Sequence, residues 1–275
     1  MQPAPLLVVL LPLVLFGGCG KKESVAEVEP VEEKQQEVKE GVKPEEPVAE
    51  TKPTEAVSVS PNLKYEIKGD AVTITGCDKK ASGALIIPAA IEGKSVTSIR
   101  NGAFYNCSSL TSITIPDSVT SIGGGAFFQC TSLTSITIPD GVTSIGIHAF
   151  RDCTSLAEAT IGDSVTSIGE YAFWRCTSLA SITIPDGVTS IGSYTFYGCI
   201  RLIDITIGQS VTSIGRSAFR DCNSLMSISI PDSVTSIEDD AFRDCNSLTS
   251  VTIGQSVTSI GDYAFAACSS LTSIT

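Results

Sequence analysis

The stretch CTSLTSITIPDGVTSIGIHAFRD fills residues 130–152, and Cys153 begins nearly the same phrase again. Cysteines stand at 107, 130, 153, 176, 199, 222, 245 and 268, and phenylalanines at 104, 127, 150, 173, 196, 219, 242 and 265. Both series keep a 23-residue step. A fixed period of this size with L-x-x-I-x-I inside it marks a solenoid of stacked coils.

Within one coil the letters have separable tasks. Ile113 and Ile115 point one way and Ser112 and Thr114 the other, which reads as a strand with one buried face. Pro or Gly then ends the strand, at Pro116, Pro139, Gly162, Pro185, Gly208, Pro231 and Gly254, with Asp, Gln, Ser or Gly behind it. A second short extended piece carries Val119 and Ile122 inward. Ala126, Phe127 and Cys130 follow at i, i+1 and i+4, the spacing of a single helical or tight turn against the core. One coil alone buries too little to offset its chain entropy, so stability belongs to the stack. Pro and Gly alternate from Pro139 to Gly254, which reads as the duplication of a two-coil unit.

This unit resembles the BspA-like class of leucine-rich repeats, whose pattern is C-x-x-L-x-x-I-x-I-P-x-x-V-x-x-I-G-x-x-A-F-x-x. Cys130, Leu133, Ile136, Ile138, Pro139, Val142, Ile145, Gly146, Ala149 and Phe150 meet it. The match begins near residue 96 and runs to 275. The resemblance implies an α/β, strand-rich, right-handed leucine-rich-repeat solenoid of eight Phe/Cys coils. Residues 61–98 are expected to form an N-terminal β cap, and residues 99–275 to be the repeats, with no C-terminal cap. It also implies a surface-exposed recognition module, often an adhesin for host proteins or other cells.

Residues 1–19 read as a targeting segment. The apolar run at residues 6–16 is too short for a span of about 20 residues and suits a signal sequence. The letters LFGGC resemble a bacterial lipoprotein signal and imply lipidation at Cys19. Ordinary cleaved secretion and a retained anchor are the alternatives, and each takes the chain out of the cytoplasm. Residues 20–60 are rich in Glu, Lys, Val and Pro and hold no aromatic residue. Such a segment is expected to be a disordered linker reaching roughly 35–40 Å, a stalk if Cys19 is lipidated.

The inventory narrows the chemistry. A net charge of -12 argues against a nucleic-acid partner, which needs clustered Lys and Arg. His148 is the only histidine, so acid–base and metal chemistry have little to work with, and no enzyme, cofactor or metal site is expected. The RDC letters at 151–153, 220–222 and 243–245 put Asp beside Cys, but Asp points out where Cys points in. The array cysteines are expected to be a reduced, buried ladder. Neighbouring coils about 4.8 Å apart bring them within disulfide range on distance alone, yet stacked equivalent side chains run parallel. Cys77 is expected to stand unpaired in the cap. Thr114, Thr137, Thr160, Thr183, Thr206 and Thr252, with Ser229, form one outward row, and Thr120 to Thr258 another. Such rows resemble ice-binding solenoids, but Glu158, Asp204 and Met226 interrupt the flanking positions, and Thr is a good exposed strand residue in any case.

The letters that vary are the candidates for recognition. Two residues before each buried Phe the chain reads Gly102, Gly125, His148, Tyr171, Tyr194, Ser217, Asp240 and Tyr263. One residue after it stand Tyr105, Phe128, Arg151, Trp174, Tyr197, Arg220, Arg243 and Ala266. Phe128, Tyr171, Trp174, Tyr194 and Tyr197 cluster in the middle coils, and Tyr, Trp and Arg are what recognition hot spots are made of. The alternative is that these residues roof the convex side and stack on each other. Glu158, Asp204 and Met226 mark a second strip on the strand face, ranked first because leucine-rich proteins commonly bind there. The expected function is a recognition or adhesion module in the cell envelope, lipid-anchored or secreted. Its partner is a protein or glycan on another cell or matrix. The alternative is a structural envelope protein associating end to end through its open coils.

Overall fold

The computed structural model describes residues 60–275. The signal segment, Cys19 and the linker up to residue 59 lie outside the described residues. Two parallel strand stacks follow the array, each broken once: the SI stack between Ile168 and Ser190, and the SITI stack between Thr206 and Ser227. One is built from the SITI phrases, as Ser135–Ile138 pairing in register with Glu158–Ile161. The other is built from two-residue SI strands, as Ser121–Ile122 on Ser144–Ile145 on Ser167–Ile168. The opening segment starts both stacks. β1 (Leu63–Lys68) and β2 (Ala71–Cys77) form an antiparallel hairpin. β3 (Gly83–Ile86) pairs with the first SITI strand, β4 (Ala90–Ile91) pairs antiparallel with β5 (Lys94–Ile99), and β5 joins β2 to the first SI strand.

Between each SI strand and the next SITI strand lies a wall of tight turns, and among the described residues there is no helix. This corrects the α half of the α/β expectation. The residues two before and two after each buried Phe sit in the left-handed region, as His148 (φ 59°) and Asp152 (φ 57°) around Phe150. A helix has no room between two such residues. Their N–H groups instead point along the solenoid axis. His148 N–H donates to Glu170 O at 3.0 Å, Phe150 N–H to Ala172 O at 2.7 Å and Asp152 N–H to Trp174 O at 2.8 Å, all in the following coil. The SI side bonds the other way, with Gly146 N–H donating to Ile122 O of the preceding coil at 2.8 Å.

The core is a set of columns, one letter each. The phenylalanines line up face to face, with ring centroids 5.1 Å apart for Phe104–Phe127 and Phe127–Phe150, and 5.2 Å for Phe150–Phe173. Adjacent rings are within 13° of parallel. Ala, Leu, Val and Ile columns surround them, buried in the middle coils.

Glycine is needed where backbone meets backbone. A Cβ on Gly146 would lie 2.4 Å from Gly124 N. The Pro/Gly alternation has the same cause: Cβ atoms on Gly208 and Gly254 would lie 2.4 Å from the carbonyl oxygens of Pro185 and Pro231 in the coils before them. One interval of the SI stack is looser. The SI ladder is interrupted between Ser167–Ile168 and Ser190–Ile191, and a Cβ on Gly192 would clear Glu170 by 3.3 Å. At this coil Thr195, buried, replaces the alanine of the other coils and donates its hydroxyl to Gly192 O at 2.8 Å. Gly146→Ala is therefore expected to cost about 1–3 kcal/mol by overpacking. Gly192→Ala is expected to stay within about 1 kcal/mol of the parent chain. Urea midpoints of the two variants check the difference.

Candidate functional site

The invariant interior has a chemistry of its own. From Cys130 on, each thiol donates to the phenylalanine carbonyl of the preceding coil: Cys130 to Phe104 at 3.2 Å, Cys153 to Phe127 at 3.0 Å, Cys176 to Phe150 at 3.2 Å. The series continues through Cys199, Cys222, Cys245 and Cys268. Each of these carbonyls also takes the N–H of the cysteine in its own turn, as Cys130 N–H to Phe127 O at 3.1 Å. Cysteine thus supplies a small apolar side chain that still carries a donor. Burial pushes the Cys130 and Cys199 thiols up to about 12 and holds Cys153, Cys176 and Cys222 well above the usual range. These sulfurs are protonated scaffold, not nucleophiles. Burial also lowers His148, with the Arg151 charge adding to the effect. Among the described residues no group of His, Cys, Asp or Glu is arranged to hold a metal ion.

The turn wall brings the predicted aromatic residues together. Tyr171 and Tyr194 stack at 4.8 Å and 7°. Trp174 and Tyr197 stack at 5.9 Å, and Tyr194 leans on Tyr197 at 5.9 Å. Phe128 packs against Tyr105 at 5.3 Å, and the Arg151 guanidinium bridges Phe128 and Trp174 at 5.2 and 4.2 Å from their rings. Arg175 lies 5.2 Å from the Trp174 ring. Much of the ring area is therefore turned to neighbouring rings and guanidinium groups. The five predicted residues are half-buried.

On the SITI face the predicted residues are exposed and less engaged. Glu158 pairs across the ladder with Ser181, and Ser181 with Asp204, so the two carboxylates stand two coils, about 10 Å, apart. With Thr160, Thr183 and Thr206 they line a shallow trough of about 450 Å³. Among the described residues neither carboxylate has an ion-pair partner. Met226 is 55 % exposed in the column just before the SITI strand, and the sequence reading did not single out Ile203 (50 %), its counterpart one coil earlier, or the exposed Ile200 (44 %). The signal was present. The position before the SITI strand reads Thr111, Thr134, Ala157, Ala180, Ile203, Met226, Thr249 and Thr272. Thr134, Thr249 and Thr272 donate their hydroxyls to the coil before, at 3.1, 2.9 and 3.0 Å. The four middle coils give up that bond and turn the column apolar.

The BspA type Leucine rich repeat region, in six copies, matches residues 97–226 and 189–275. The chain belongs to the BspA-type leucine-rich repeat family. The crystal structure of the T. pallidum Leucine Rich Repeat protein is 29% identical to it, with a TM-score of 0.57, covering 78% of this chain and 91% of that one. A leucine rich cell surface protein from Faecalibacterium prausnitzii A2-165 is 24% identical, TM-score 0.32, over 79% and 93% of the two chains. A leucine-rich repeat protein from Bacteroides ovatus ATCC 8483 is 23% identical, TM-score 0.34, over 80% and 94%. No curated protein matches the chain. In this BspA-type chain the family pattern accounts for the Phe, Cys, Leu, Ile and Val columns. The Glu158–Asp204 trough and the Ile203–Met226 strip lie at positions that the pattern leaves open.

Proposed function

We propose that this protein is a non-catalytic surface recognition module, anchored through Cys19, that binds a protein partner on its SITI face. The observation that carries the reading is the pair of unpaired carboxylates, Glu158 and Asp204, beside the exposed Ile203 and Met226. A complementary partner presents Lys or Arg side chains to the trough and an apolar side chain to the strip. BspA-type proteins generally have surface binding or adhesion roles, and the LFGGC letters support export. The SITI face is preferred to the turn wall because the wall's aromatic groups already pack on one another.

The test compares two variants in adhesion of the purified chain to cell and matrix preparations. The double charge reversal Glu158→Lys/Asp204→Lys is expected to weaken binding at least about tenfold and to abolish its salt dependence. Trp174→Ala/Tyr197→Ala is expected to leave binding within about threefold. The opposite result would move the site to the turn wall.

A further inference from the structure

The thiol ladder has one irregular rung. From Cys130 on, every thiol donates to a phenylalanine carbonyl of the preceding coil. Among the described residues no phenylalanine precedes Phe104, so Cys107 has no such carbonyl in a preceding coil. The Cys107 side chain instead meets that of Cys77, the last residue of β2. Both are buried. The pair is braced from both sides. β2 runs parallel to β5 with Ile74 opposite Ile99, and Arg100 N–H donates to Ile74 O at 2.9 Å. Two residues beyond Cys77, the Lys79 ammonium bonds the Tyr105 carbonyl, two residues before Cys107.

We propose that Cys77 and Cys107 are a disulfide-forming pair that staples the N-terminal hairpin to the first repeat. Their contact differs in kind from the ladder contacts, where each sulfur is spent on a carbonyl. Contact with Cys77, and next the Lys79 charge, holds the Cys107 thiol down at about 7 against the burial that raises it, while Cys77 is raised. Of the two, Cys107 is the one that gives up its proton more readily. The oxidant is a small-molecule or protein disulfide. The Cys107 thiolate attacks one of its sulfurs and expels the other as a thiolate, giving a mixed disulfide. Cys77, deprotonated, then attacks the Cys107 sulfur and expels the second thiolate. Two S–H bonds are lost and one S–S bond is formed, and the oxidant leaves as two thiols. The ladder thiols, protonated and bonded to carbonyls, do not compete. Because both sulfurs are buried, exchange belongs to the moment when the hairpin docks.

The full chain is refolded in a mixture of oxidised and reduced glutathione, the remaining thiols are alkylated after denaturation, and the peptides are mapped by mass spectrometry. The expected result is one linked peptide pair joining Cys77 to Cys107, with Cys130 to Cys268 recovered as alkylated thiols. Limited trypsin cleavage after Lys64 and Lys68 should then be at least about tenfold slower than in Cys77→Ala, whose unchanged circular dichroism shows that the repeats still fold. Recovery of Cys77 and Cys107 as free thiols, or cross-links spread along the ladder, would overturn the proposal.

Discussion

Above about pH 9 the folded chain is expected to lose stability at roughly 8 kcal/mol per pH unit. Six thiols carry the effect: Cys130, Cys153, Cys176, Cys199, Cys222 and Cys245, all raised from an ordinary value of 9.0, chiefly by burial. A raised thiol keeps its proton in the folded state while the unfolded chain gives its proton up. Below the unfolded value both states are protonated and nothing is lost. Above it the unfolded state is favoured by about 1.4 kcal/mol per thiol and pH unit, until the folded values, about 12 for Cys130 and Cys199, are reached. Six thiols together exhaust an ordinary stability of about 5–15 kcal/mol within about two pH units. Urea midpoints measured from pH 7 to 10.5 under reductant give the slope directly. Cys176→Ala should reduce it by about one sixth. A midpoint that stays constant between pH 8 and 10 would show that the sulfurs are not sealed as described.

The thiol ladder also marks how far the sequence could be read. The 23-residue step placed Phe, Cys, Leu, Ile and Val in columns, because a side chain's direction repeats when coils stack in register. It pointed to a turn at the AF letters but left helix open, since i, i+1, i+4 spacing suits both. Tyr171 and Tyr194 in left-handed backbone carry no signal of their own, as Gly or Asn would. The candidate faces were legible as the columns that vary. That the aromatic column packs ring on ring while the Glu158–Asp204 column keeps unpaired charges depends on how neighbouring side chains turn, which spacing does not encode. The meeting of Cys77 with Cys107 was hidden for another reason. The opening segment departs from the period, so no counting places its residues against the first coil.

Phe173→Ala is expected to lower stability by about 3–5 kcal/mol, the usual range for deleting a buried ring. Phe173 is fully buried and loses two stacked neighbours at once, Phe150 at 5.2 Å and Phe196 at 5.4 Å. Phe265, half-buried, stacks on Phe242 alone among the phenylalanines, so the same deletion there is expected to cost less than half as much. Position adds to the effect. The SI ladder is interrupted between Ser167–Ile168 and Ser190–Ile191, and the Thr189 hydroxyl does not make to Thr166 the carbonyl bond that Thr166 makes to Thr143 and Thr212 to Thr189. Across this interval the SI side gives least, and the phenylalanine stack, the thiol bonds and the turn wall carry the coupling, as in Cys199 to Phe173. Coils are joined mainly through nearest neighbours, so a void at Phe173 weakens the link between the two halves as well as the coil itself. Urea unfolding of Phe173→Ala should therefore broaden or split into two steps, with amides N-terminal and C-terminal to the interval exchanging at different denaturant concentrations. A single sharp transition no lower than that of Phe265→Ala would mean that the column is not what couples the coils.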